Sequence, residues 1–220
     1  MKFSHILPAM LLLASCQGHQ KQIKLPEQVD TIAEQSLQPN EKNGPETADD
    51  LSMLAYGGAK FGMSPDEVLQ TDGFSGGTKS GENVRPPSSK RRVGNYDYDI
   101  VASFHENKLY LVSFSSAWQT AAFIEFDMLT VLNNLKDVIT IRYGEPTHKY
   151  KMPNVMDFEP GVRRWVYLWE IEDKVISVGM RESNEGANYQ AIMWIYNKPI
   201  FDRIGYNKAN VNKVRDAAKF

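Results

Sequence analysis

Gly73-Phe74-Ser75-Gly76-Gly77 has the G-x-S-x-G spacing in which a serine can stand on a tight strand-to-helix turn as a nucleophile. In this chain the order is reversed. A short helix precedes the glycines and a glycine-rich loop follows, so no helix supplies an oxyanion site. His105 and His148 are the only histidines between residues 51 and 206. One sits beside a hairpin turn and the other just after a helix stop, positions that suit surface loops better than a catalytic base. Glu170, Glu172 and Asp173 crowd one hairpin, and a carboxylate pair can perform acid/base work. Glu172 and Asp173 fall at the turn, however, where water and Lys174 are the expected neighbours. Paired Cys or His spacing and calcium-loop spacing are both missing, so the sequence calls for no metal and no cofactor.

Aromatic side chains form the densest chemical pattern. Alternation along a strand places Trp165, Tyr167 and Trp169 on one face, and likewise Trp194 with Tyr196 on another strand. Aromatics that combine apolar area with a polar tip are favoured at binding surfaces. The alternates Val166, Leu168, Val175 and Ile195 would then be the core that faces the helices. Two outcomes stand open: an exposed aromatic platform, or aromatics buried beneath the helices.

At the start of the chain, Lys2 precedes an apolar run from Ile6 to Leu13, followed by Ala14, Ser15 and Cys16, the only cysteine. Spanning a bilayer takes about 20 apolar residues. This run is far shorter and gives way to polar residues from Gln17, which is the pattern of an export signal. With no second cysteine, no intrachain disulfide can form. Leu13-Ala14-Ser15-Cys16 resembles the lipobox of bacterial lipoproteins. That resemblance implies cleavage before Cys16, a diacylglycerol on its thiol and an acyl chain such as palmitate on its amine. Several chains together give stable anchoring where one gives only marginal binding. It also implies an outer-membrane, periplasm-facing anchor, because Gln17 rather than aspartate follows the cysteine and no acidic cluster comes next. An ordinary secretory signal is the alternative.

The 220 residues carry 25 basic and 27 acidic side chains; removing Lys2 with the leader leaves 24 basic. Phosphate-rich polymers need clustered Lys and Arg, so nucleic acid is disfavoured as a partner. Lys90-Arg91-Arg92 is the one dense basic run, and it lies in a Pro/Ser-rich stretch that reads as a solvated loop. Residues 16 to 50 are rich in Gln, Glu, Asn, Lys and Pro and poor in aromatics, the composition of a tether. As a coil, its ends would average ~30–35 Å apart.

These residues must be positioned by a domain expected over residues 51–206. Ser64-Pro65-Asp66-Glu67 predicts a helix start, with Ser64 and Glu67 at capping-box spacing and Pro65 at the first helical position. Residues 71–93 read as a long loop. Strands are predicted over 96–104 and 109–114 as a hairpin. Ile124, Met128, Val131, Leu132, Leu135, Val138 and Ile139 predict the longest amphipathic helix, ended by Gly144 and Pro146. Strands over 164–171, 174–181 and 189–196 follow as a meander. The expected fold class is therefore α+β, an antiparallel sheet of about five strands with two helices on one face, in the order α-β-β-α-β-β-β. Residues 207–220 read as a polar C-terminal helix or tail.

Phe61-Gly62-Met63-Ser64-Pro65-Asp66-Glu67-Val68, the hairpins, Arg142-Tyr143-Gly144-Glu145-Pro146 and the aromatic strand resemble small exported bacterial domains. These are the small outer-membrane assembly lipoproteins and the β-lactamase-inhibitory-protein-like domains. The resemblance implies helices packed on an antiparallel sheet and a function of binding proteins without catalysis. The sequence thus supports a non-enzymatic, lipid-anchored envelope protein that binds a protein or envelope component through Trp165, Tyr167, Trp169, Trp194 and Tyr196. A cell-envelope serine hydrolase using Ser75 is the alternative.

Overall fold

Alternating apolar residues build one antiparallel sheet, and its two faces are covered very differently. The computed structural model describes residues 48–88, 90–123 and 127–205, all within one unit spanning Pro45–Phe220. The leader, Cys16, the expected tether up to residue 47 and the expected tail at 207–220 lie outside the described residues.

Helix α1 (Ala48–Met53) leads into a two-stranded ribbon, β1 (Leu54–Tyr56) with β2 (Ala59–Lys60), and then into helix α2 (Pro65–Val68). The capping box at α2 forms as its sequence requires. The Ser64 backbone N–H donates to Glu67 Oε2 at 2.7 Å, and the Glu67 N–H donates back to Ser64 Oγ at 3.4 Å.

The main sheet has ten strands. In chain order they are β3 (Thr78–Ser80), β4 (Asn83–Arg85), β5 (Arg91–Val93), β6 (Tyr96–His105), β7 (Lys108–Ser115), β8 (Gln119–Thr120), β9 (His148–Lys149), β10 (Arg163–Ile171), β11 (Lys174–Glu182) and β12 (Asn188–Asn197). The spatial order is β3-β4-β6-β7-β12-β11-β10-β9, with β5 on β6 and β8 on β12. Every pairing is antiparallel.

The expected α+β class with five strands and two helices is therefore corrected to a β-rich fold: ten strands in one sheet and four α-helices among the described residues. The expected loop over residues 71–93 contains three of the added strands. They are only three residues long, too short to show an alternation. One joint welds the β6–β7 hairpin to the β10–β11–β12 meander. It is β7 on β12, with Val112 opposite Ile195 and Phe114 opposite Met193.

Helix α3 (Leu129–Tyr143) covers one face. Leu132, Leu135 and Ile139 are buried against Ile176, Val178 and Met180. Each fully buried leucine contributes roughly 1.5–3 kcal/mol. The ribbon and α2 fill the same side, with Tyr56 edge-on to Phe114 at 5.0 Å and Phe74 wholly buried. Lys174, expected with water as a neighbour of the Glu172 and Asp173 carboxylates, is instead 0% exposed. Its ammonium donates to the carbonyls of Leu51 at 3.0 Å and Leu54 at 2.8 Å and to the Tyr143 hydroxyl at 2.7 Å, tying α1 and α3 to the sheet. A buried ammonium is tolerated only with such acceptors. A final helical segment, residues 198–205, lies on the other face through Phe201, so the helices do not share one face. Among the described residues no helix is long and apolar enough to cross a membrane.

Candidate ligand-binding face

A β-bulge decides which aromatic residues reach solvent. Counting outward from the Glu172-Asp173 turn, β10 and β11 pair regularly from Ile171 opposite Lys174 to Tyr167 opposite Val178. The next pair is Trp165 opposite Gly179, so Val166 is the extra residue and the alternation reverses there. Tyr167 and Trp169 consequently face α3, while Trp165 faces the opposite side. The expected single stripe of Trp165, Tyr167 and Trp169 is thus corrected.

Tyr167 and Trp169 belong to the helix-side packing. The Tyr167 hydroxyl donates to Asn133 Oδ1 at 2.9 Å. Trp169, 1% exposed, donates its indole N–H to the Gly144 carbonyl at 2.8 Å, holding the end of α3 to the sheet. Val166 and Ile195 join the core as expected, whereas Leu168 and Val175 belong to the other face by their pairing with Ser177 and Glu170.

Trp165 and Trp194 meet on that other face, with ring centroids 5.4 Å apart. They bridge β11 over Ser177 and Gly179, residues too small to hold the rings apart. A Cβ on Gly179 would collide with the Arg164 carbonyl oxygen and stand 2.8 Å from Trp165 Cα. The glycine is what allows β10 to approach at the bulge. Tyr196 packs against Phe201 with the rings tilted and their centroids 4.6 Å apart, and Phe201 also meets Trp194 edge-on at 5.8 Å. Burial pushes the Tyr196 phenol above its ordinary range, with a Ser177 hydrogen bond opposing. Residues 198–205 therefore close over Tyr196 and leave Trp194 and Trp165 half-buried at the margin.

Two depressions flank this pair. A hollow of about 250 Å³ is walled by Arg85, Asp99, Ser113, Ser115, Arg163 and Arg181, with Trp194 at its rim. A wider open groove of about 680 Å³ lies between β10 and residues 150–159, lined by Met152, Met156, Phe158, Arg163 and Trp165. Arg163 belongs to both. Its guanidinium carbon stands 4.5 Å from the Trp194 ring centroid, a cation–π contact.

Ser75 sits in a turn, and among the described residues no histidine or carboxylate bonds its hydroxyl. The serine is exposed, its N–H bonds the Thr71 carbonyl at 2.8 Å, and the neighbouring Phe74 is core. Gly77 is there because a Cβ would strike the Arg85 carbonyl oxygen and lie 2.7 Å from that of Phe74. His105 pairs with Glu106 at 3.9 Å and packs on Tyr110, while His148 pairs with Glu170 at 3.7 Å and stacks on Tyr150. Among the described residues no three His, Cys, Asp or Glu side chains gather at metal-binding distance.

Arg163 and Arg181 were not singled out by sequence reasoning. One signal pointed to their neighbourhood: a glycine within an otherwise regular strand marks a bulge or a close approach, and Gly179 is both. Without the bulge, Arg181 would stand opposite Arg164; with it, Arg181 stands opposite Arg163. No protein-family model, no curated protein and no solved structure matches this chain.

Proposed function

We propose that the chain is a non-enzymatic, lipid-anchored protein of the bacterial outer membrane, facing the periplasm, which binds a protein or envelope component on the sheet face opposite α3. The observation that carries the binding reading is the bulge at Val166, which sets Trp165 beside Trp194 between two open depressions. The anchor rests on Leu13-Ala14-Ser15-Cys16 and its likeness to a lipobox. Aromatic anchors flanked by arginines are the composition of energetic centres in interfaces.

A photo-reactive phenylalanine analogue placed at Trp165 tests this in intact cells. Ile141 is the control, because it is 85% exposed on α3, away from the proposed face. The expected result is a discrete adduct at 165 and none at 141. Equal labelling at both positions, or none at 165, overturns the assignment of the face.

A further inference from the structure

Three arginines surround the hollow on the outer face, and among the described residues only one of them has a counter-charge. Arg85 donates to both Asp99 carboxylate oxygens, at 2.8 and 2.9 Å, which occupies the acid on that wall. Arg163 and Arg181 stand directly opposite each other on β10 and β11, and among the described residues no carboxylate pairs with either. Like charges in directly opposed positions destabilise a sheet.

Both guanidinium groups are nevertheless held in place. Arg163 lies on Trp194, and Arg181 lies 5.1 Å from the ring of Trp118. The Arg181 Nε–H is spent on Gln190 Oε1, and that amide is itself fixed by donating to the Ser116 carbonyl at 3.0 Å. The terminal N–H groups of Arg181 remain as donors in a fixed fork. Burial lowers the pKa of both groups from the ordinary arginine range, and at Arg163 the charge of Arg181 adds to this. Ser113 and Ser115 supply hydroxyls at the opposite wall, the first making a long 3.4 Å contact to the Val101 carbonyl.

A repulsive pair of pre-positioned forks beside small hydroxyls fits one chemistry. We propose that the hollow between Arg163 and Arg181 is an oxyanion site, taking a carboxylate or phosphate group displayed by the bound molecule. An anion would convert the mutual repulsion into two charge-assisted contacts, and guanidinium forks match the planar or tetrahedral oxygens of such groups. The size of the hollow suits a single headgroup rather than a polymer backbone. This inference rests on the outer face being the binding face, and it names the ligand class for that face.

The test uses purified full-length protein in detergent, titrated with sodium phosphate and separately with sodium succinate at constant ionic strength. Melting temperature and tryptophan fluorescence are both read. Saturable stabilisation by phosphate alone identifies a phosphate-bearing ligand, and by succinate alone a carboxylate-bearing one. Arg163→Met and Arg181→Met should each weaken binding by roughly tenfold or more, the effect of losing one charge-assisted bond. Arg181→Lys, which keeps the charge but loses the fork, should also weaken it. Without anion, Arg163→Met should melt no lower than wild type, because one half of the repulsive pair is gone and, among the described residues, its side chain gives up no hydrogen bond; Arg181→Met also strips Gln190 Oε1 of its donor and is read for its anion response alone. A response equal to that of sodium chloride, or one unchanged in all three variants, overturns the site. Because no partner is needed here, failed crosslinking at Trp165 with intact anion binding would strike only the proposed function.

Discussion

A single hydrogen atom in place of a side chain, at Gly179, decides whether Trp165 is surface or core. The Arg164 carbonyl and the Trp165 Cα occupy the space a Cβ would need, so β10 can bulge at Val166 only if β11 offers a glycine there. Gly179→Ala should destabilise the protein by about 1–3 kcal/mol, the range for forced overpacking, read as a lower urea midpoint. It should also perturb the near-ultraviolet circular dichroism of the Trp165–Trp194 pair. An unchanged midpoint would mean that the two strands part without cost and that something other than the glycine sets the bulge. Trp169 is the contrasting case, because its indole N–H already has the Gly144 carbonyl and its ring is enclosed. Trp169→Ala should lower stability by about 3–5 kcal/mol, whereas Trp165→Ala should leave the fold in place and act on partner capture.

Helix α2 shows how much of an element its own sequence can dictate. The Ser64 N–H first and its hydroxyl second hold the Glu67 carboxyl below the usual carboxylate range. A folded-state pKa that is depressed adds stability that is present above the unfolded value and lost as pH falls through the folded one. Glu67→Gln should therefore be less stable than wild type at neutral pH, and the gap should close as the solution is acidified through the carboxylate range. A gap that is constant with pH would show that the ionised form is not what caps the helix. Ser64→Ala should cost about 1 kcal/mol and reduce the same pH dependence without abolishing it, because the main-chain N–H at position 64 still donates to the Glu67 carboxylate. This helix start, the cores of the five long strands and the apolar face of α3 were legible because each rests on local spacing. The short strands β3, β4, β5, β8 and β9 were not, since two or three residues carry no period. The β7–β12 pairing and the bulge were hidden for another reason: both are relations between segments, and alternation read along one strand cannot register a shift against its neighbour. The same limit explains why Trp165, Tyr167 and Trp169 read as one stripe.

At the scale of the whole molecule, an excess of acidic side chains coexists with two unmatched arginines gathered at one hollow. Binding at that face would therefore be steered locally, and raising ionic strength should weaken it. Among the described residues, every member of the core cluster lies between Ala55 and Ile195, inside the unit Pro45–Phe220. A chain begun at residue 45 should thus share its urea midpoint with one begun at residue 17, both unfolding in one cooperative transition. A lower midpoint for the shorter chain would show that residues 17–44 take part in the fold. In cells, the full-length protein should incorporate labelled palmitate and sediment with membranes, while Cys16→Ser should do neither. If wild type takes up no palmitate, or if the Cys16→Ser protein remains with the membrane fraction, attachment depends on something other than this thiol. The outer sheet face would then need a partner that itself holds the protein at the envelope.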